Sequence, residues 1–451
     1  MFVHAFFATV AVAATMAFKN QRPGASADLS QDQQKLALPE GFSQFQRSFL
    51  CVALLAWFSD WLQGAYIYDL YSSYGYDQSE IAQLFVAGFL SSMVVGSYVG
   101  AMADKYGRRK MCSAFAPFSD YSVLMVGRVL GGVATSLLFT VFESWMVCEH
   151  RSRGYPPALL STTFSRLTAG NGLAAVTAGL VANGSTQVFG TPLAPFMVAC
   201  APLLLVSLLT LRWPENYGDS SVSVAASLKR AWSYMCADAR IVTIGLAQAL
   251  FEAGMYVFVF IWTPALLDTT LPEGTDGVQN YLGIIFAAFM TCTIIGSNIL
   301  EMLMAPKVGV SMYDMALIAH MVAALALTAA TVAASTGQMY LAFLAFEVAV
   351  GMFYPAYSMI KSSHIQEEVR STVMNYFRIP LNAFVALALV RISQFSSTVA
   401  LVVAACLHVL ALCIYIYSRR LLLGSSEKED VPDGADEEDE GAGMLMRKNS
   451  G

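Results

Sequence analysis

The residues whose types could do chemistry in this chain are the charges that interrupt its apolar stretches. Asp60, Arg128, Glu143, Arg166, Glu252, Glu347 and Arg378 each sit inside a long apolar run. An ionised side chain at a bilayer centre costs about 2.5–3.5 kcal/mol on insertion scales, so each needs a partner, water or a ligand. Arginine stays charged and offers a planar fork of donors suited to an oxyanion. Arg166 and Arg378, about a third of the way in from the same side, are expected to converge on a small dianion. Asn375 and Tyr376, just ahead of Arg378, join this candidate binding set. The competing reading is that each arginine pairs with a carboxylate and only holds helices together. Asp60 and Glu252 fall at similar depth in two helices that an internal repeat relates. They read as further site residues able to carry a coupling proton, or as structural partners of the arginines. Arg128, Glu143 and Glu347 read as coupling or helix-pairing charges. The sequence has no metal-ligand cluster, nucleotide-binding glycine loop or nucleophile–base spacing, so neither an enzyme nor a cofactor is expected.

A second constellation is the short turn Gly100-Ala-Met-Ala-Asp104-Lys-Tyr-Gly107-Arg108-Arg109-Lys110. Gly100 allows close helix approach, and Gly107 allows the tight turn. A turn this basic between apolar helices should face the cytoplasm. Its pattern resembles the loop between the second and third helices of major facilitator transporters. Asp104 and Arg108 are expected to act as a conformational latch, with the carboxylate bonding to a neighbouring helix N-terminus. The matching turn of the second half, Met304-Ala-Pro-Lys307, lacks the pattern, which makes the latch one-sided.

These residues need membrane helices to position them. Only 13% of the chain is charged, and apolar stretches long enough to cross a bilayer recur from end to end. The spacing predicts an N-terminal membrane helix over 1–18 and a cytoplasmic linker over 19–47. A helix bundle follows over 48–212, an inter-bundle loop over 213–240, a second bundle over 241–420 and an acidic tail over 421–451. Within 213–240, Leu228, Trp232 and Met235 predict a short amphipathic helix on the membrane surface. Lys and Arg gather in the turns on one side, and the loops 71–80, 183–191, 267–280, 334–337 and 395–397 contain neither. That asymmetry places the acidic tail inside. Asn183-Gly-Ser185, a glycosylation sequon, is expected on one of the outer loops. One crossing is short: only Met111 to Tyr121 separate the basic turn from the next apolar span, about 16 Å as helix. The third helix is therefore expected to be shortened. The halves otherwise repeat, with Leu84–Ser97 resembling Ile284–Ser297, Gly64-Ala-Tyr echoed by Gly254-Met-Tyr, and Ser161-Thr162 with Arg166 echoed by Ser371-Thr372 with Arg378. Two six-helix bundles around a shared site are the architecture this implies.

Several stretches carry a narrower resemblance. They include Ser59-Asp60-Trp61-Leu62-Gln63, Gly127-Arg128-Val-Leu-Gly131-Gly132, Phe142-Glu143-Ser-Trp145, Trp213-Pro-Glu215-Asn216-Tyr217, Leu250-Phe251-Glu252 and Asn375-Tyr-Phe377-Arg378-Ile-Pro380. Together they resemble the molybdate-anion transporter family across roughly 42–420. The resemblance implies an all-α membrane protein of the major facilitator fold that takes up molybdate, with the plasma membrane as its default location. It supplies no site map, so the assignment of Arg166 and Arg378 rests on charge and depth. Other readings are a carrier of a sulfate-like anion or an uncharged solute, and a membrane receptor or scaffold. Oligomeric state is left open, and no nucleic-acid partner is expected.

Overall fold

The protein is described by a computed structural model covering residues 1–20, 39–106, 121–215, 224–269, 277–392 and 396–429. These residues form fourteen α-helices and one 3-10 turn, with no strand among them. In chain order the helices are α1 (Phe2–Asn20), α2 (Phe42–Gly64), α3 (Ile67–Ser73), α4 (Gln78–Tyr106), α5 (Tyr121–Ser152), α6 (Pro157–Phe189) and α7 (Ala194–Thr210). They continue with α8 (Val224–Ala237), α9 (Ala239–Leu267), α10 (Leu282–Met304), α11 (Met312–Thr331), α12 (Thr336–His364), α13 (Glu367–Ile392) and α14 (Ser397–Glu429). Seven are long and apolar enough to cross a membrane; α2 and α3, bent by 45° at Ala65–Tyr66, make an eighth span together. Within each helix the backbone N–H and C=O groups pair with one another between the end turns, which is what a bilayer demands. Helix starts carry ordinary chemistry: Asp238, Ser311 and Ser335 cap α9, α11 and α12 through side-chain acceptors.

The helices form two halves joined through α8. In the first, α2 packs on α6 and α7, and α4 on α5. In the second, α9 packs on α13 and α14, α10 on α12, and α11 on both α12 and α14. The core of the second half is aromatic, with Phe251, Phe258, Phe289, Phe343 and Phe353 fully buried. The amphipathic helix α8 lies against α13, and the end of the molecule it marks is called the linker end below. α1 rides on the outside of α10, with Phe2 against Tyr281 and Tyr340.

The halves meet chiefly where α6 packs on α10 and α4 on α13. The first is a glycine crossing. A Cβ on Gly283 would lie 2.3 Å from the Gly179 carbonyl oxygen, and one on Gly179 would lie 2.7 Å from that of Gly283. Only hydrogen fits at either position. Around this crossing the Tyr66 hydroxyl accepts the Gly283 N–H, and Gln279 bonds to Asp69. Trp61 tilts on Phe286, and both Tyr68 and Phe85 meet Phe260 edge-on. These contacts gather away from the linker end, at what is called the far end.

The two halves differ in one respect. Helices α4 and α5 run parallel: Tyr121 sits by Tyr76 and Gln83, Gly132 by Gly88, and Ser136 by Ser92. In the second half α10 and α12 are likewise neighbours, and α11 makes the return between them. In the first half the return falls to 107–120, which lie outside the described residues. Tyr121 is level with Glu80, so the chain must climb back by about 26 helical residues, roughly 39 Å. Fourteen residues of helix rise about 21 Å, short of a hydrocarbon core of about 30 Å. The shortened third helix expected from Met111 onward falls on residues outside the described ones, and the parallel pair requires a full crossing there.

Candidate functional site

The second half brings three helices to one charged cluster. On α9, Gln248, Glu252 and Tyr256 recur every four residues and share a face. Gln248 Nε2 donates to Glu252 Oε1 at 2.9 Å. On α12, Glu347, Tyr354 and Lys361 recur every seven residues along another. Arg378 projects from α13 on the side opposite its exposed stripe, Ile379, Leu387 and Val390. Glu252 feels the charges of both Lys361 and Arg378, and Tyr354 those of Glu252, Glu347 and Arg378. No direct ion pair joins these groups among the described residues. Two cations therefore face one carboxylate that is already bonded to an amide. The Tyr354 side chain is 43% exposed although charges surround it, so it borders open space rather than packed core. Phe89 of α4 closes on Tyr256 at 4.8 Å, which brings the first half to the edge of the cluster.

A second charged group lies towards the far end of the first half. Asp60 is exposed on α2, one turn before Gly64, where a Cβ would lie 3.7 Å from the Phe286 ring of α10. It therefore looks between the halves. It feels the charge of Arg128 of α5. The Arg128 guanidinium is within electrostatic reach of Tyr71 and lies over the Phe85 ring, 5.3 Å from its centroid.

The other expected site residues are spread wider. Arg166 donates to Gln46 Oε1 on α2, and Gln46 Nε2 donates to Thr163 Oγ1 at 2.8 Å. Arg166 is exposed and shares its stripe of α6 with exposed Leu173 and Leu180, so it does not join Arg378. Tyr376 turns to α8, its hydroxyl donating to the Leu228 carbonyl and its ring meeting Trp232. Asn375 is half-buried beside it. Glu143 is exposed on α5 and Glu347 is buried on α12; among the described residues neither has a hydrogen bond or ion pair. Gly100 and Asp104 fall in the last turns of α4, while Gly107, Arg108 and Arg109 lie outside the described residues. Asn183 is not on a loop: it lies inside α6, 4% exposed, bonded to the Tyr66 hydroxyl.

Comparison with known proteins fits this architecture. A family profile described as sugar transporters with twelve transmembrane segments matches residues 1–348. A molybdate-anion transporter of Xenopus laevis is 34% identical over 366 residues, covering 77% of this chain and 79% of that one. One of Takifugu rubripes is 33% identical over 433 residues, covering 87% and 88%. The chain belongs to the molybdate-anion transporter family. Like other major facilitators, members of this family are membrane transporters, so the chain is a multi-pass membrane transporter and not an enzyme. Among solved structures, the nucleoside transporter NupG superposes with a TM-score of 0.64 at 12% identity, covering 83% of this chain and 98% of that one. A bacterial homologue of the human lysosomal transporter Spinster superposes at 0.63 and 13%, covering 86% and 99%. At such identity these two show the fold alone.

Sequence reading overlooked Lys361, Gln248 and Tyr354. Lys361 reads as a turn residue because the apolar run ends there; its seven-residue spacing from Tyr354 and Glu347 is the signal that would have found it.

Proposed function

We propose that this member of the family is a secondary active carrier that takes up molybdate by alternating access. The observation that carries the reading is the cluster at Arg378, Lys361 and Glu252, two cations to one carboxylate with no direct pair. A tetrahedral dianion supplies the acceptor oxygens that a guanidinium and an ammonium leave unfilled. The relatives named as molybdate-anion transporters support the choice of anion. The description of the matching profile as sugar transporters points instead to an uncharged solute. Desolvating two cations for a neutral sugar returns little, which favours the anion. In this reading Glu252 carries a coupling proton, Asp60 does so at the far end, and Arg166, Asn375 and Tyr376 serve the path rather than the bound anion. Glu143 and Glu347 are further coupling charges, and Asp104 with Arg108 forms the latch. The bundles run over 48–212 and 241–420, the linker end faces the cytoplasm, and the plasma membrane is the working location.

The test is molybdate uptake by cells that lack their own carrier and express this chain, with surface abundance measured alongside. Saturable uptake that Arg378→Gln lowers at least tenfold and excess sulfate leaves intact is the expected result. Competition by sulfate at equal concentration would move the assignment to a general oxyanion carrier. Absence of uptake of any tetrahedral oxyanion, with the protein at the surface, would leave a receptor or scaffold.

A further inference from the structure

One arginine remains without a task in the cluster above, and its surroundings are unusual. Arg128 is half-buried between α3, α4 and α5, within electrostatic reach of Tyr71 and over the face of Phe85. Its Nε is buried and has no hydrogen-bond partner. A buried donor atom left unfilled is costly, so this atom calls for a partner that comes and goes. Asp60 lies within electrostatic reach but forms no direct ion pair with it. The backbone leaves room for the guanidinium: a Cβ on Gly88 would come within 3.0 Å of Nη2.

What covers Arg128 is also what closes the far end. The Phe85 ring lies under Arg128 and also meets Phe260 of the other half, 5.4 Å away and edge-on. Parting the halves at the far end removes Phe260 and frees Phe85 to move off the guanidinium. We infer that Arg128 is a second station for the transported oxyanion, reached from the far end and masked in this conformation by the Phe85–Phe260 contact. Asp60 beside it keeps the station from binding too tightly. The carrier thus has two separate cationic stops, Arg128 near the far end and Arg378 with Lys361 nearer the linker end. The inference rests on the oxyanion reading of the preceding subsection.

The experiment measures molybdate transport from each side, in whole cells for the far end and in inside-out vesicles for the linker end. Arg128→Gln is expected to raise KM from the far end about tenfold, with the maximal rate little altered and the linker-end KM unchanged. Arg128→Lys, which keeps the charge and loses the fork, should fall between. Gly88→Ala displaces the guanidinium while favouring the helix, and should raise the far-end KM alone by a few-fold. It decides the matter if Arg128→Gln fails to reach the membrane. Equal effects at both ends, or none at either, would mean that Arg128 only staples helices, and the station is lost. If the unaltered protein moves no molybdate while these variants fold, the oxyanion reading itself fails.

Discussion

The Tyr66 hydroxyl accepts the backbone N–H of Gly283 across the two halves, at 3.3 Å. The same oxygen is bonded to Asn183 at 3.2 Å and to Thr186 at 3.1 Å, so one buried phenol ties α2, α6 and α10 together. It sits where Gly179 and Gly283 cross without room for a methyl group. In the proposed rocking cycle such a junction would serve as the far-end closure. Tyr66→Phe removes one oxygen and Gly283→Ala adds one carbon, and both should loosen it. A cysteine pair replacing Asp69 and Gln279, which bond across the same gap, reports the change. Oxidation should cross-link that pair readily in the parent and several-fold more slowly in either variant. Equal rates in all three would show that the phenol does not hold the closure.

The cluster predicts a division of labour between its cations. Arg378→Gln should lower molybdate uptake by tenfold to a hundredfold, since a charged hydrogen bond is worth about 1.5–3 kcal/mol. Lys361→Gln removes a compact charge without a fork and should mainly raise KM. Initial rates over a range of molybdate concentrations separate the two. Matching losses in maximal rate, with KM fixed, would speak against anion binding at either residue.

Glu252 is expected to carry the coupling proton. With Glu252→Gln, counterflow of labelled against unlabelled molybdate should persist, because the cations remain. The acceleration that an imposed proton gradient gives the parent should vanish. If the gradient still drives the variant, the proton travels elsewhere, and Asp60 is the next residue to test.

Asp238 predicts a pH-dependent stability. It caps α9 by accepting the Arg240 N–H at 2.8 Å and is gripped by the Arg240 guanidinium. That hydrogen bonding holds its carboxyl below the usual range. A lowered folded value means the stabilisation is complete above the ordinary carboxylate range and fades as pH falls through the folded value. The pair is only half-buried, so the effect is that of a cap, about 1 kcal/mol. Asp238→Ala should therefore lower the melting temperature of the purified protein near pH 7. The gap to the parent should narrow as the pH is brought well below 4, the ordinary aspartate value. A gap independent of pH would mean the carboxylate's charge is irrelevant to the cap.

Much of this architecture was legible in the sequence. Spans, repeat and family resemblance come from apolar runs and short motifs, which depend on local composition alone. The site was less legible because it depends on rotation about helix axes. Arg166 follows Ser161-Thr162 by five residues from the serine, whereas Arg378 follows Ser371-Thr372 by seven. Two residues are a turn of about 200° in a helix, so the two arginines leave their helices on opposite sides. The repeat hid that offset because each match was read for content rather than for phase. A related offset separates Asp60 from Glu252: aligning Gly64 with Gly254 puts Asp60 opposite Leu250. The helical setting of Asn183 was hidden too, because its Asn-Gly-Ser run has the composition of a loop, while α6 continues to Phe189.

The parallel pairing of α4 and α5 has a consequence for how the chain is made. A membrane protein is inserted as it is synthesised, and each completed crossing hands the next segment to the opposite face. Were 107–120 to stay on one face, every later segment would be delivered to the wrong side. Arg151, Arg153, Arg212, Lys307 and Arg419 would then all be drawn across the bilayer. The basic residues downstream resist that exchange. Biogenesis of the first half is thus a contest between a stretch too short to cross as a helix and a downstream charge pattern that requires the crossing. A version of the chain with some twenty apolar residues at this point, enough for one full span, should accumulate at the membrane in greater amount.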